Sequence, residues 1–320
     1  FVDLMRRLEF FCGVQVLTYA LMSNHFHILV RVPEGKPELS DADLIERVRV
    51  LNGGLAAAEL TKSLESMRKH DPSGALAEEF KSRYLERMHD VSVFMKELKG
   101  RYAQWFNRRY TRYGVLWAER FKSVLVQSGQ EHATAREILT EAAPESLTTM
   151  SAYIDLNPVR AELCEDPKEY RYCAYGEAVS GTRKQRALAR AGLGWVLYPD
   201  NPELAKDWSA VQREYRRLLF GTLLAREEVA ERKRNEASSA KRARMALAAG
   251  SELSRAELLR CRVRYFSDGL VLGGKEFVEK VFEEERSRFS AKRKTGARLM
   301  KGADWGELRV FRDLKKRPVG

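Results

Sequence analysis

"LTYALMSNHFHILVRV", residues 17–32, places two histidines, His25 and His27, one residue apart in a strand-like run. In an extended chain the side chains of residues i and i+2 share a face and sit roughly 6–7 Å apart, so both imidazoles can reach one metal ion or one phosphate. Alternation puts His25, His27, Leu29 and Arg31 on one side and Phe26, Ile28, Val30 and Val32 on the other. One face reads as core and the other as a site. The same spacing also suits two structural histidines held by hydrogen bonds, so the rest of the chain has to decide.

Around this stretch the sequence reads as layers. A helix over about residues 1–11 leads through Gly13 into the apolar strand "VQVLTYALM"; Ser23 and Asn24 give a turn signal, and the histidine strand follows as its antiparallel partner. Residues 36–90 are polar and helical, with a loop at "HDPSG". A long amphipathic helix, "SVFMKELKGRYAQWFNRRY", follows, with Phe94, Leu98, Tyr102, Trp105 and Phe106 at helical spacing. Gly114 ends it, and "VLWAERFKSVLV" reads as another strand. Pro144 opens a further helix, "PESLTTMSAYIDL", with Leu147, Met150 and Ile154 as its apolar stripe, closed by Pro158. The order helix, strand, strand, helix, strand, helix predicts an α+β domain, an antiparallel sheet with helices packed on it, over residues 1–178.

Residues 179–320 read as a basic helical region. "ERKRNEASSAKRARMALAAG" suits a linker or exposed helix. Ser254 and Glu257 have capping-box spacing before "LLRCRVRYF", "SDG" turns the chain, and "KEFVEKVFEEERSRF" is a second helix. The expectation for residues 254–289 is a helix-turn-helix or a plain helical hairpin.

Across its 320 residues the chain carries 57 Lys and Arg against 45 Asp and Glu, a formal net charge of +12, which makes a polyanion the natural partner to consider. The four cysteines, Cys12, Cys164, Cys173 and Cys261, stand far apart without a CxxC pair, against both a zinc knuckle and a disulfide framework. They read as reduced thiols. No apolar run approaches the ~18–20 residues of a membrane helix, so a non-membrane, cytoplasmic and nucleoid-associated protein is expected.

In "SAYIDLNPVRAEL", residues 151–163, Tyr153 and Asn157 are i and i+4, neighbours on one helix face. A phenol and a carboxamide sharing a face can approach the two histidines together. Two imidazole nitrogens and an amide oxygen would then be ligands and the phenol a nucleophile. Taken singly, Tyr153 also suits a core aromatic and Asn157 a helix terminator before Pro158.

Together, "YALMSNHFHILVRV" and the later "YIDLNPVRAELCEDPKEYRYCAYGEA" resemble the REP-associated tyrosine transposases, a branch of the single-tyrosine HUH transposases that act on single-stranded DNA. His25, Phe26 and His27 match the His-hydrophobic-His triplet; Tyr153, Asn157 and Pro158 match the helix carrying Tyr-x-x-x-Asn-Pro. The resemblance runs through "RYAQWFNRRYTRYGVLWAERFKS" and covers most of residues 1–178; "RYFSDGLVLGGKEFVEKVF" resembles the tail of longer members. Ser23 stands where the family usually has proline. Members begin with a strand beside the histidine strand, which is absent from this sequence, and residues 36–90 exceed the corresponding part of compact members.

The resemblance implies an HUH, ferredoxin- or RRM-like fold in which His25, His27 and Asn157 bind Mg²⁺ or Mn²⁺. Tyr153 is the implied nucleophile, forming a 5′-phosphotyrosine link during cleavage and rejoining of single-stranded DNA at hairpins of the repetitive extragenic palindrome type. Arg101, Arg108, Arg109, Arg112, Arg120 and Lys122, interleaved with aromatics, are the expected DNA contacts. Two other readings are a domesticated DNA-binding regulator that no longer cuts, and a metal-dependent phosphodiesterase that uses water. The oligomeric state and the target sequence are not legible in the chain.

Overall fold

The structure, a computed structural model, describes residues 1–128, 145–220, 258–302 and 304–311. The protein is mixed α+β and mostly helical. The chain gathers into two compact units, Phe1–Val16 with Val30–Phe121, and Leu17–Leu29 with Lys122–Gly320.

In the first unit α1 (Val2–Cys12) buries Met5, Leu8, Phe11 and Cys12. It stops because Gly13 takes the left-handed conformation, φ 67°. A Cβ at Gly13 would also stand 2.9 Å from Nε2 of His89; only glycine meets both demands. Helices α2 (Asp41–Asn52), α3 (Gly54–His70) and α4 (Ala75–Leu85) fill the polar stretch read as helical, and α5 (Val91–Arg109) is the long amphipathic helix. Helix α1 packs on α2 and α5. Arg7 ties its flank to the carbonyls of Val50 and Leu51 at 2.7 and 2.6 Å, satisfying acceptors near the end of α2.

Strands β1 (Gln15–Leu21) and β2 (Phe26–Arg31) form the expected hairpin, closed where the Met22 N–H meets the His25 carbonyl at 2.8 Å. Residues Phe26 to Val30 of β2 are all half-buried, so the strand has no fully buried face.

In the second unit α6 (Glu145–Asp155) lies at the centre, with nine of its eleven residues buried, Ser146, Thr149, Ser151 and Asp155 among them. The stripe of Leu147, Met150 and Ile154 is buried as read, but the opposite face is buried too. Helices α7 (Asn157–Arg160), α8 (Ala174–Ser180), α9 (Arg183–Leu197), α10 (Pro202–Lys206) and α11 (Trp208–Phe220) follow, and α9 and α11 pack on α6.

Three sequence expectations change. The strand read over residues 115–126 shrinks to β3 (Leu125–Val126). The preceding residues instead lie along α5, with the Trp117 indole donating to the Lys99 carbonyl at 2.9 Å and the Lys99 ammonium to the Glu119 carbonyl at 2.8 Å. The region after residue 178 is not wholly helical. Between α12 (Tyr265–Asp268) and α13 (Lys275–Glu284) runs β4 (Val271–Gly273), which pairs in parallel with β3 and antiparallel with β6 (Arg309–Val310); β5 (Arg298–Leu299) completes this sheet. A strand therefore follows the expected turn at "SDG" and stands between it and the second helix. The apolar "LVLGG" after "SDG" is short and wholly buried over β4, a pattern that helix and strand share. Finally, contacts do not divide at residue 178, because α9 and α11 belong to the same unit as α6. Pro144, the charged stretch 231–250 and the capping pair Ser254 and Glu257 lie outside the described residues.

Candidate functional site

The candidate site lies within the second unit. His25 is exposed at the mouth of the hairpin, and His27, two residues on, is half-buried. Their rings stand edge to face with centroids 5.3 Å apart, which is the shared-face spacing read from the strand. Nδ1 of His25 lies 2.7 Å from the Asn24 side-chain oxygen. That oxygen can only accept, so it holds the proton on Nδ1 and leaves Nε2 as the lone-pair nitrogen.

Burial and the neighbouring positive charges keep both rings neutral. Burial lowers His27 to about 4, helped by His25, Arg160 and Arg262. His25 is lowered by burial and then by the charges of Arg262 and Arg160. Neutral imidazole is the form that binds a metal ion.

Helix α6 delivers Tyr153, whose ring centroid lies 6.3 Å from that of His27. The ring is buried, 3% exposed. Among the described residues its hydroxyl has no hydrogen-bond partner, and it is not one of the sealed polar atoms of the interior. The orientation of α6 is set from behind. Asp155, two residues on and so on the opposite face, accepts from Thr18 of β1 at 2.8 Å and from Tyr215 of α11 at 2.6 Å. It also takes the Tyr175 backbone N–H at 3.0 Å.

Asn157 is buried at the α6–α7 joint. Pro158 has no N–H to offer the carbonyl of Ile154, four residues earlier. The Asn157 amide nitrogen supplies the missing donor, at 3.1 Å, and reaches the Tyr153 carbonyl at 3.4 Å. Its nitrogen is thus committed to the backbone, and its oxygen is the atom left for a ligand.

Two neutral imidazoles and an amide oxygen suit a divalent cation that keeps open positions for water and phosphate. Among the described residues no group of three His, Cys, Asp or Glu side chains is placed to hold a metal; His25, His27 and Asn157 make up two such side chains and an amide.

Sequence reasoning missed Arg160. Its guanidinium lies 3.8 Å from the centroid of the Tyr153 ring and donates to the Tyr153 carbonyl at 2.7 Å and to the Leu259 carbonyl at 2.6 Å. Burial pulls it down to about 10, so it is charged at neutral pH. The signal was present: Tyr153, Asn157 and Arg160 run i, i+4, i+7. Phe266, whose ring meets Tyr153 at 4.8 Å, carried no such signal.

The six basic residues read as DNA contacts do not behave alike. Arg101 is paired with Glu97 at 2.8 Å, and Lys122, in the second unit, with Asp268 at 3.1 Å. Arg108, Arg109, Arg112 and Arg120 are exposed and have no carboxylate partner among the described residues. Around the end of α5 they accompany exposed rings: Trp105 at 49%, Tyr110 at 57% and Tyr113 at 91%. The guanidinium of Arg109 lies over Tyr110 and that of Arg112 over Phe106.

No family model, no curated protein and no solved structure matches the chain. Among the described residues no helix is long and apolar enough to cross a membrane.

Proposed function

We propose that the protein is a metal-dependent tyrosine endonuclease and strand transferase of single-stranded DNA, of the HUH type, acting at hairpins. The observation that carries this reading is the meeting of three rings from two separate segments, the His25–His27 pair and Tyr153, with Asn157 four residues beyond Tyr153 and bonded to its carbonyl. A pair of structural histidines has no need of a buried phenol whose hydroxyl has no hydrogen-bond partner among the described residues.

In this reading His25, His27 and Asn157 would hold Mg²⁺ or Mn²⁺. A bound ion of this kind supplies Lewis-acid polarisation of the scissile phosphate and charge neutralisation. The Tyr153 oxygen attacks phosphorus, a tyrosyl–phosphate bond forms at the 5′ end, and the bond from phosphorus to the 3′ oxygen breaks. The phenolic proton passes to solvent and the released 3′ oxygen takes one up. Because the new link conserves the phosphodiester energy, a second 3′-hydroxyl can reverse the step on another strand. Arg108, Arg109, Arg112 and Arg120, with the rings beside them, suit unpaired DNA, the cations following phosphates and the rings stacking on bases.

The test is covalent capture. The full chain is incubated with labelled single-stranded hairpins with unpaired flanks, with Mn²⁺ or with EDTA, and run on a denaturing gel beside Tyr153→Phe. A metal-dependent protein–DNA adduct that the variant lacks is the expected result. Cleavage without an adduct makes water the nucleophile, and tight binding without cleavage makes the protein a DNA-binding regulator.

A further inference from the structure

We propose that Arg160 is a positioning residue for Tyr153, anchored by the segment from Leu258 to Phe266, so that the carboxy-terminal part of the chain completes the tyrosine site. The inference rests on the reading of Tyr153 as nucleophile.

Arg160 follows Tyr153 by seven residues, and its side chain turns back along α7 to cover the tyrosine ring. Three contacts converge on one planar group. One nitrogen holds the carbonyl of Tyr153 itself, another holds the carbonyl of Leu259, 99 residues later, and the flat face lies against the phenol ring. Among the described residues Arg160 has no carboxylate partner, so its charge is spent on the ring and on the two carbonyls. The edge-to-face contact of Phe266 with Tyr153 adds a further wall, and Phe266 is in turn packed on Trp305 at 5.7 Å. With His27 close by, the phenol ring is bounded by groups from three segments of the second unit.

A tyrosine that must attack in line gains from such confinement, since misplacement by about 1 Å costs on the order of 100-fold in rate. Arginine is suited to the task and lysine is not. A guanidinium can stack on a ring while donating in two directions, whereas an ammonium is a point charge without a plane.

The experiment is single-turnover adduct formation by the full chain at saturating hairpin DNA with Mn²⁺, comparing wild type, Arg160→Lys and Phe266→Leu. Rate constant, amplitude and DNA affinity in EDTA are read separately. Arg160→Lys is expected to lower the rate constant by about 100-fold with affinity unchanged, and Phe266→Leu to lower it in the same direction by about 10-fold. A purely structural role would reduce the amplitude, as fewer molecules fold, and leave the rate constant of the folded fraction alone. Phe266→Leu carries the test where Arg160→Lys does not fold. Wild-type rate constants in the variants, or a loss confined to affinity, overturn the positioning role and leave the tyrosine reading standing. Absence of an adduct with wild type overturns both.

Discussion

The carboxylate of Asp155 accepts a 2.6 Å hydrogen bond from the hydroxyl of Tyr215, sixty residues later in the chain. With Thr18 and the Tyr175 N–H it forms a buried clamp behind α6, and that clamp decides which face of the helix carries Tyr153 toward the histidines.

Burying this carboxylate has a consequence for stability against pH. Desolvation raises Asp155 to about 6, offset only in part by the bonds from Tyr215, Tyr175 and Thr18. Between the unfolded value near 4 and this one the folded state holds a proton that the unfolded state has released, so stability falls as pH rises through that window. His27, with its lowered value, acts in the opposite sense, so the comparison must be a difference. Chemical denaturation of wild type and Asp155→Asn at pH 4, 5, 6 and 7 should show wild type losing stability relative to the variant as pH rises to 6. The relative loss should be on the order of 3 kcal/mol. A relative gain would mean that the clamp favours the ionised carboxylate.

Removing the Tyr153 hydroxyl should separate chemistry from folding. With no protein partner for that oxygen among the described residues, Tyr153→Phe is expected to unfold within about 0.5 kcal/mol of wild type. Adduct formation should vanish. A large stability loss would assign the hydroxyl a structural role instead.

Asn157 is asked to serve the backbone and a ligand at once. Asn157→Asp keeps the shape and an oxygen but has no N–H for the carbonyls of Ile154 and Tyr153. Repulsion and lost hydrogen bonds should cost about 1–3 kcal/mol in urea unfolding. Unchanged stability would show that the amide nitrogen does not cap α6.

Salt dependence can rank the basic residues. Each phosphate contact on a single strand contributes about 0.7 to the slope of log affinity against log salt. Replacing Arg108, Arg109 and Arg112 together by glutamine should therefore flatten the slope by about 2. Arg101→Gln should change it by less than one phosphate contact, since Arg101 is held by Glu97, which it shares with Arg87. Equal effects at all positions would point to diffuse attraction by the net charge.

The sequence by itself determined what depends on neighbours along the chain. The histidine pair on one face of β2, the hairpin turn at Ser23 and Asn24, and the Tyr153–Asn157 spacing are set by the two-residue and 3.6-residue periods of strand and helix. The helical reading of residues 36–90 rests on the same local signals. Tertiary structure alone decided the rest. Whether a buried helix face meets another helix or water depends on what packs there, so the polar flank of α6 reads as exposed until Thr18 and Tyr215 are found against Asp155. Likewise β4 is a strand because β3 and β6 supply its hydrogen-bond partners from distant parts of the chain. Arg160 shares a helical spacing with Tyr153, but only the folded chain brings the Leu259 carbonyl that accepts its hydrogen bond. Periodicity records which way a side chain points, and only the folded chain supplies the partner it meets.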